Sequence, residues 1–401
     1  MEYKFNLPFY VGPTSKASEG GRTRPMEDIL VPLQAKYCER YDYIRVTNVG
    51  EYKELLWKSY QDEAGNMAST PIGSSIISRA RLEQFTHALS STIASLKLHP
   101  RSAIDIGGGE GGFLLDVVSQ YSLSSNNCAI IEPGPQADSL LSQSINVCKD
   151  FEEACLLDKK FDIAIASGVL EHVEEPVNFM KRVHQLMSVS SIGICTVPSL
   201  EQEVENKKIS LSHQHIHYFS ARSIQKILQE AGLVDILTTF SEAGNEIISV
   251  FCRGDNELSR HACSKKFEAI GRKEAEDALT QTHLKHEQFI SISLEFINKG
   301  IGLGFHGGGV NEAAILQCRL GDNFNIRFFN NDTYVWGKSL LNTLPPVLDP
   351  SRAAELGVKV IVVFPEHYFH AIQSVYERQN INCVKYSDFI GLSAKEIYGL
   401  A

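Results

Sequence analysis

A glycine-rich turn connects two apolar segments in the first third of the chain, and its sequence is Asp105-Ile106-Gly107-Gly108-Gly109-Glu110-Gly111-Gly112. A short apolar run over 103–106 precedes it, and apolar residues recur at helical spacing after it. Glycines at such a turn let the backbone reverse sharply and approach a ligand closely. The stretch therefore predicts a buried strand, a ligand-binding loop and a helix, in that order.

Short apolar runs alternate with helical segments from residue 101 onward. The runs predict strands at 103–106, 128–131, 161–166 and 192–197, and an antiparallel pair at 234–240 and 247–252. This alternation is typical of a parallel sheet that helices cover on both faces. The predicted fold class is α/β, with a Rossmann-like core.

A second, smaller Rossmann-like unit is predicted after residue 300, with strands at 301–303, 326–329, 358–364 and 383–385. It has a second glycine motif, which fits G-x-G-x-x-G through Gly302, Gly304 and Gly307. The segment 255–298 is charged and has no proline, so it is predicted to be helical. The expected organisation is an N-terminal cap at 1–99, the core domain at 100–254, a helical connector at 255–299 and the C-terminal domain at 300–401.

Composition limits the classes of function. The formal net charge of the 401 residues is -10, which argues against a nucleic-acid partner because phosphate binding needs a basic surface. No apolar run approaches the roughly 20 residues that a membrane helix needs, and the first residues lack the apolar core of a secretory signal. A cytoplasmic location is expected. The nine cysteines include no C-x-x-C pair, so neither a disulfide framework nor a cysteine zinc site is predicted.

The charge around the first glycine loop bears on its ligand. Asp105 precedes the loop, Glu110 lies in it, and no Lys or Arg occurs between Arg101 and Lys149. This acidic setting opposes a pyrophosphate and suits the cationic S-adenosylmethionine. Glu132 falls about twenty residues past the loop, where a carboxylate reaches ribose hydroxyls. NAD enzymes use a carboxylate in the same way, so Glu132 indicates an adenosine cofactor without choosing between the two.

Three stretches resemble the motifs of class I methyltransferases that use S-adenosylmethionine: residues 105–111, Glu132, and the segment 161–173. The resemblance implies that Asp105, Gly107, Gly108, Gly109 and Gly111 hold the methionine end, that Glu132 and Pro133 lie at the ribose, and that Ser167, Gly168 and Val169 lie under the cofactor. Asp150 and Phe151 stand where the family usually has Gly-Asp before the adenine. The Leu-Glu-His-Val segment, 170–173, is similar to that of ubiquinone-biosynthesis methyltransferases, where Glu171 and His172 would lie near the pocket.

Most of the chain resembles the sugar C-methyltransferases that act on nucleotide-linked keto-deoxysugars. The matching stretches are 301–316, 330–338 followed by 344–346, and 213–220. The family's zinc cysteines are missing, because only Cys38 matches and Tyr41 stands at the next position. The N-terminal cap would then be a degenerate zinc-binding segment, and neither structural zinc nor any metal ligand is expected.

The segment at 213–220 departs from the family's Tyr-His-Glu-His: Ser212 replaces the tyrosine and Gln214 the glutamate. His215 keeps its type, so the resemblance implies that it is the general base, with His172 in reserve. His213, His215 and His217 alternate and would share one face of an extended segment, which leaves an active-site, a structural or a metal-binding role open.

The sequence thus predicts a methyltransferase that uses S-adenosylmethionine to methylate carbon or oxygen of a small polar acceptor, for example a nucleotide-linked sugar. Two alternatives stay open. One is an NAD-dependent sugar-modifying oxidoreductase, and the other is a catalytically inactive methyltransferase-like scaffold.

Overall fold

The computed structural model describes residues 2–9, 14–15, 30–61, 76–321, 325–339, 344–392, 396 and 399. The strands are β1 Tyr3–Pro8, β2 Thr14–Ser15, β3 Leu30–Cys38, β4 Tyr43–Val46, β5 Ala103–Ile106, β6 Cys128–Ile131, β7 Asn146–Cys148, β8 Phe161–Ser167, β9 Met187–Pro198, β10 His217–Tyr218, β11 Leu233–Phe240, β12 Glu246–Arg253, β13 Leu303–His306, β14 Ile326–Phe329, β15 Lys338–Ser339, β16 Val347–Leu348, β17 Val360–Val363 and β18 Asn382–Lys385. The helices are α1 Lys53–Gln61, α2 Ile76–Ser95, α3 Gly112–Tyr121, α4 Phe151–Leu156, α5 Pro176–Leu186, α6 Leu200–Glu205, α7 Ala221–Glu230, α8 Arg272–Asn298, α9 Val310–Leu320, α10 Phe369–Glu377 and α11 Tyr386–Phe389. None of these helices is long and apolar enough to cross a membrane.

The chain forms two compact units. The first comprises Met1–Tyr3, Gln34–Asn66 and Thr70–Ala278, and the second comprises Lys4–Leu33, Met67–Ser69 and Leu279–Ala401. The boundary at residues 278 and 279 falls inside α8, so one helix starts in the first unit and ends in the second.

A seven-stranded sheet organises the first unit, in the order β11-β12-β9-β8-β5-β6-β7. The strands from β7 through β9 run parallel, and β12 and β11 continue the sheet antiparallel. The α/β fold class and the antiparallel closing pair are therefore confirmed. Strand β7 was not predicted, because its three residues are too few to form an apolar run.

The sheet has a core on each face. Along β8, Ile163 and Ile165 belong to one apolar cluster with Phe85 of α2, and Ala164 and Ala166 belong to the other. Successive side chains of a strand point to opposite faces, so a fully apolar run such as β8 is stable only when helices cover both faces.

A smaller antiparallel arrangement positions the segment that precedes β10. In the first unit, β4 pairs with β3 on one side and with β10 on the other. His217 of β10 lies opposite Arg45, and Tyr218 lies opposite Ile44. The short strand β4 is thus stabilised by pairing with a segment more than 170 residues away.

The connector is less helical than predicted. The segment from 255 begins with a 3₁₀ helix at Glu257–His261, and α8 starts only at Arg272. The backbone N–H groups of Ile270 and Gly271 donate to the carboxylate of Asp42 at 3.1 and 3.2 Å. These long-range bonds satisfy the backbone outside a helix, which local sequence cannot reveal.

The second unit has a five-stranded sheet in the order β16-β14-β13-β17-β18, and all its neighbouring strands are parallel. The predicted glycine loop of this unit is corrected: Gly304 lies within β13, where it pairs with Arg327 and Ile361. The loop begins at Gly307, one residue after the strand ends. An added Cβ on Gly309 would lie 2.4 Å from the ring of Phe364, so this loop packs tightly under an aromatic side chain.

Candidate active site

The candidate site lies at the carboxyl ends of the parallel strands in the first unit. Strand β5 has β6 on one side and β8 on the other, so the chain changes direction across the sheet at this point. Ligands of open α/β sheets bind in the crevice that such a switch creates. The glycine loop follows β5, Glu132 follows β6, and residues 167–169 end β8 or follow it.

The glycines of the loop differ in the space around them. An added Cβ on Gly108 would come within 2.5 Å of the Asp105 carboxyl group, so the loop closes directly over that side chain. Gly109 has a φ of 57°, and an added Cβ there would meet no described atom within 4 Å. The outer surface of the loop at Gly109 is therefore open.

Asp105 is buried under the loop, with 2% of its surface exposed. Its carboxylate accepts a hydrogen bond from the backbone N–H of Leu114 in the first turn of α3. Burial, and next the charge of Glu132, raise the pKa of Asp105 to about 7. The buried carboxyl group is thus poised to respond to a cation that enters the site.

Replacing Asp105 by a neutral residue should show how much the buried charge lowers the free energy of unfolding. Because the folded pKa lies above the ordinary value of 3.8, stability conferred by the protonated group is lost as pH rises from about 4 through 7. Without a ligand, Asp105→Asn is expected to raise the free energy of unfolding by on the order of 4 kcal/mol at pH 8 and by less than half as much at pH 5. Urea unfolding at both pH values measures this difference. An equal change at the two pH values would exclude the buried charge as its cause.

Glu132 lies beside the loop and is 6% exposed. Its two carboxylate oxygens accept backbone N–H bonds from Gly109 and Gly134, each at 3.0 Å. Burial raises the pKa of Glu132, while these two hydrogen bonds lower it. The carboxylate is thereby fixed between the glycine loop and the turn after β6, and its remaining lone pairs can accept from hydroxyl groups.

The remaining residues predicted near the ribose and adenine differ in exposure. Pro133 and Asp150 are exposed, and the Asp150 side chain caps α4 by accepting from the Glu153 N–H at 2.8 Å. Phe151 is 8% exposed, its ring lies 5.5 Å from that of Phe179, and the Arg182 guanidinium lies over it. The structure thus gives both Asp150 and Phe151 local structural roles.

Residues 167–169, at the end of β8, pack against the glycine loop that follows β5. The Ser167 hydroxyl is 2.7 Å from the Thr196 hydroxyl, and the Gly168 N–H donates to the Thr196 carbonyl. An added Cβ on Gly107 would lie 2.6 Å from Val169 Cγ2, so Val169 packs against the loop. These contacts bring two of the predicted motifs together although about 60 residues separate them.

Three polar side chains meet beside this segment, and we call them the Glu-His-His cluster: Glu171, His172 and His215. The His172 and His215 ring centroids are 4.8 Å apart, and Nε2 of His172 lies 3.8 Å from Oε1 of Glu171. Burial raises the pKa of Glu171 to about 8. It lowers the pKa of His172 to about 4 and, with the nearby His172, that of His215 to about 3. Both imidazoles are therefore neutral at physiological pH.

The three alternating histidines do not share a face. The chain bends at 213 and 214, where the His215 N–H donates to the Ser212 hydroxyl at 3.2 Å. The His213 ring packs on Tyr52 at 4.9 Å, and the His217 ring packs between Tyr43 and Phe219. The two predicted catalytic histidines, His215 and His172, therefore lie together, whereas His213 and His217 point to other contacts.

Residues 77–238 match the family model of a methyltransferase domain. The match includes the glycine loop, Glu132, the residues that end β8 and the Glu-His-His cluster. Over this range the chain is similar to methyltransferase domains, and its fold there is a Rossmann-like α/β fold. No curated protein sequence matches the chain.

Solved structures similar to this chain are methyltransferases of low sequence identity. An S-adenosylmethionine-dependent methyltransferase from Clostridium acetobutylicum ATCC 824 is 10% identical, with a TM-score of 0.36 over 45% of this chain and 96% of that one. A 1,6-didemethyltoxoflavin-N1-methyltransferase from Burkholderia thailandensis is 15% identical, with a TM-score of 0.37 over 55% of this chain and 99% of that one. A plantazolicin methyltransferase is 13% identical, with a TM-score of 0.42 over 51% of this chain and 98% of that one.

Proposed function

We propose that the methyltransferase domain transfers a methyl group from S-adenosylmethionine to carbon or oxygen of a small polar acceptor. The observation that carries this proposal is the pair of buried carboxylates around an open glycine loop. Asp105 lies under the loop, and Glu132 is fixed beside it by two backbone N–H groups. Two acidic side chains at one loop favour a ligand that is positively charged and has hydroxyl groups.

The residues present fit such a cofactor. The surface of Gly109 is open, and the Glu132 oxygens lie at that same glycine. A carboxylate at this position is suited to ribose hydroxyls, while the raised pKa of Asp105 makes an incoming ammonium group favourable. Glu132 suits the ribose of either cofactor, but Asp105 before the loop and Glu110 in it would repel a pyrophosphate, so the proposal selects S-adenosylmethionine over a dinucleotide.

The chemistry requires a positioned acceptor that loses a proton. The bound cofactor supplies a methyl group as an electrophile, and its sulfur keeps the electron pair of the broken S–C bond. His215 is the proposed group that accepts the acceptor's proton, because it lies beside the segment that ends β8, close to His172. Holding the acceptor in line and excluding water would supply most of the remaining rate enhancement.

We further propose that the acceptor is a small hydroxyl- or carbonyl-bearing molecule, with nucleotide-linked sugars as the first class to test. This choice rests on the resemblance of 213–220 and of the C-terminal segments to sugar C-methyltransferases.

The test is a screen of nucleotide sugars, free sugars and phenols with the full chain and S-adenosylmethionine. Mass spectrometry should detect a product heavier by one methyl-for-hydrogen exchange, together with stoichiometric S-adenosylhomocysteine. Glu132→Gln should lose this product, while Glu355→Gln, an exposed change in the second unit, should not. Cofactor binding without turnover of any acceptor would favour the inactive scaffold.

A further inference from the structure

We propose that the Glu-His-His cluster binds one divalent first-row transition-metal ion through Glu171, His172 and His215. One ligand atom from each side chain lies within 4.8 Å of the other two. In a tetrahedral site with bonds of about 2.1 Å, the ligand atoms lie about 3.4 Å apart, so binding requires the longest separation to shorten by up to about 1.4 Å through side-chain rotation.

The hydrogen bond of His172 fixes which of its nitrogens can bind. Nδ1 lies 2.9 Å from the backbone carbonyl oxygen of Gln214, and a carbonyl can only accept. Nδ1 therefore carries the proton, and the lone pair is on Nε2, the nitrogen that lies 3.8 Å from Glu171. Metal-binding histidines typically donate their other ring N–H to a carbonyl or carboxylate in this way. Because Gln214 directly precedes His215, the same bond holds two of the ligands together.

A second observation, independent of the ligand distances, is an unsatisfied carboxylate oxygen on Glu171. Its side chain is 4% exposed, and Oε2 has no hydrogen-bond partner among the residues that the structure describes. Arg81, a cation whose charge acts on Glu171, is bound in a two-bond ion pair to Glu246. A buried carboxyl group without a partner is costly, and a metal ion would satisfy it.

The cluster is placed where an acceptor would bind. An added Cβ on Gly168 would lie 3.8 Å from Oε1 of Glu171, so the cluster borders the segment expected under the cofactor. Two imidazoles and one carboxylate leave coordination positions for an acceptor oxygen and water, as in catalytic metal sites. A bound ion would lower the pKa of an acceptor hydroxyl that coordinates it. This catalytic use rests on the proposed methyl transfer, whereas metal binding itself does not.

The test is a titration of the tag-free full chain with Co²⁺ after treatment with EDTA. Calorimetry should show one Co²⁺ per chain, and visible absorption bands should report nitrogen and oxygen ligands. Glu171→Gln, which keeps the side-chain volume, and His215→Ala should each weaken binding by at least about 100-fold. His87→Ala removes an exposed histidine of α2 and should leave the affinity unchanged.

Two outcomes would overturn the metal site: a wild-type chain that binds no Co²⁺, or a Glu171→Gln variant that binds it as tightly as the wild type. Binding of S-adenosylhomocysteine and thermal melting are measured on the same variants to show that each is folded. If Co²⁺ binds at this cluster but S-adenosylhomocysteine does not bind at all, the metal site stands and the proposed cofactor fails. Loss of Co²⁺ binding with cofactor binding intact in the two cluster variants supports the site.

Discussion

The variant Gly109→Leu is expected to lose binding of S-adenosylhomocysteine by at least about 100-fold, because its side chain would fill the open space above the loop. An added Cβ at Gly109 meets no described atom within 4 Å, so the protein itself can accommodate the larger residue. The φ of 57° is left-handed and costs a side chain about 1 kcal/mol in stability, which leaves the domain folded. Isothermal calorimetry on the purified variant measures the affinity.

The matched control is Gly357→Leu in the second unit. Gly357 has a φ of 73° and no described atom within 4 Å of an added Cβ, so it carries the same backbone cost away from the loop. It should bind S-adenosylhomocysteine as the wild type does and show a similar loss of stability. If Gly109→Leu keeps its cofactor affinity, the open surface of the loop is not the binding site.

The second large effect is expected from His215→Ala, which should lower turnover by on the order of 10²- to 10⁴-fold while cofactor affinity stays within a few-fold of the wild type. His215 lies in the Glu-His-His cluster, and its ring packs against those of His172 and Tyr218. His172→Ala should lose less, because in the general-base account that residue supports His215. Single-turnover rates and calorimetry with S-adenosylhomocysteine separate chemistry from binding.

Glu171→Gln distinguishes the two roles that His215 could have. If His215 acts only as a base, the amide should cost little turnover, since Glu171 would be a structural neighbour. If the cluster binds a metal ion, Glu171→Gln should lower turnover about as much as His215→Ala does. Full turnover in His215→Ala itself would contradict both roles and assign 213–217 to structure alone.

The glycine loop and most strands of the sheet could be predicted because their signals are local. The run 103–106 is apolar except for Asp105, and the glycines follow it directly, so strand and loop are predicted from adjacent residues. Strand β14 occupies the predicted 326–329 without change. In the second unit the glycine spacing predicted a loop that starts too early in the chain. A glycine such as Gly304 can equally lie inside a buried strand, and spacing alone does not distinguish the two positions.

The Glu-His-His cluster could not be assembled from the sequence. The sequence suggests a metal site at His215 only together with His213 and His217, and no acidic residue lies near it in the chain. Glu171, 44 residues earlier, reaches it because β8 and the segment before β10 meet at one edge of the sheet: the Ile216 N–H donates to the Glu171 carbonyl at 2.9 Å. The alternation of histidines also failed as a guide, since the Ser212 turn rotates His213 and His217 into separate aromatic contacts.

The central claim is that the site around Asp105 and Glu132 holds S-adenosylmethionine. Calorimetric titration of the full chain with S-adenosylhomocysteine and, separately, with NAD tests it most directly. We expect one S-adenosylhomocysteine per chain, a raised melting temperature, and no heat of binding from NAD. Binding of NAD without binding of S-adenosylhomocysteine would contradict the claim and favour the oxidoreductase.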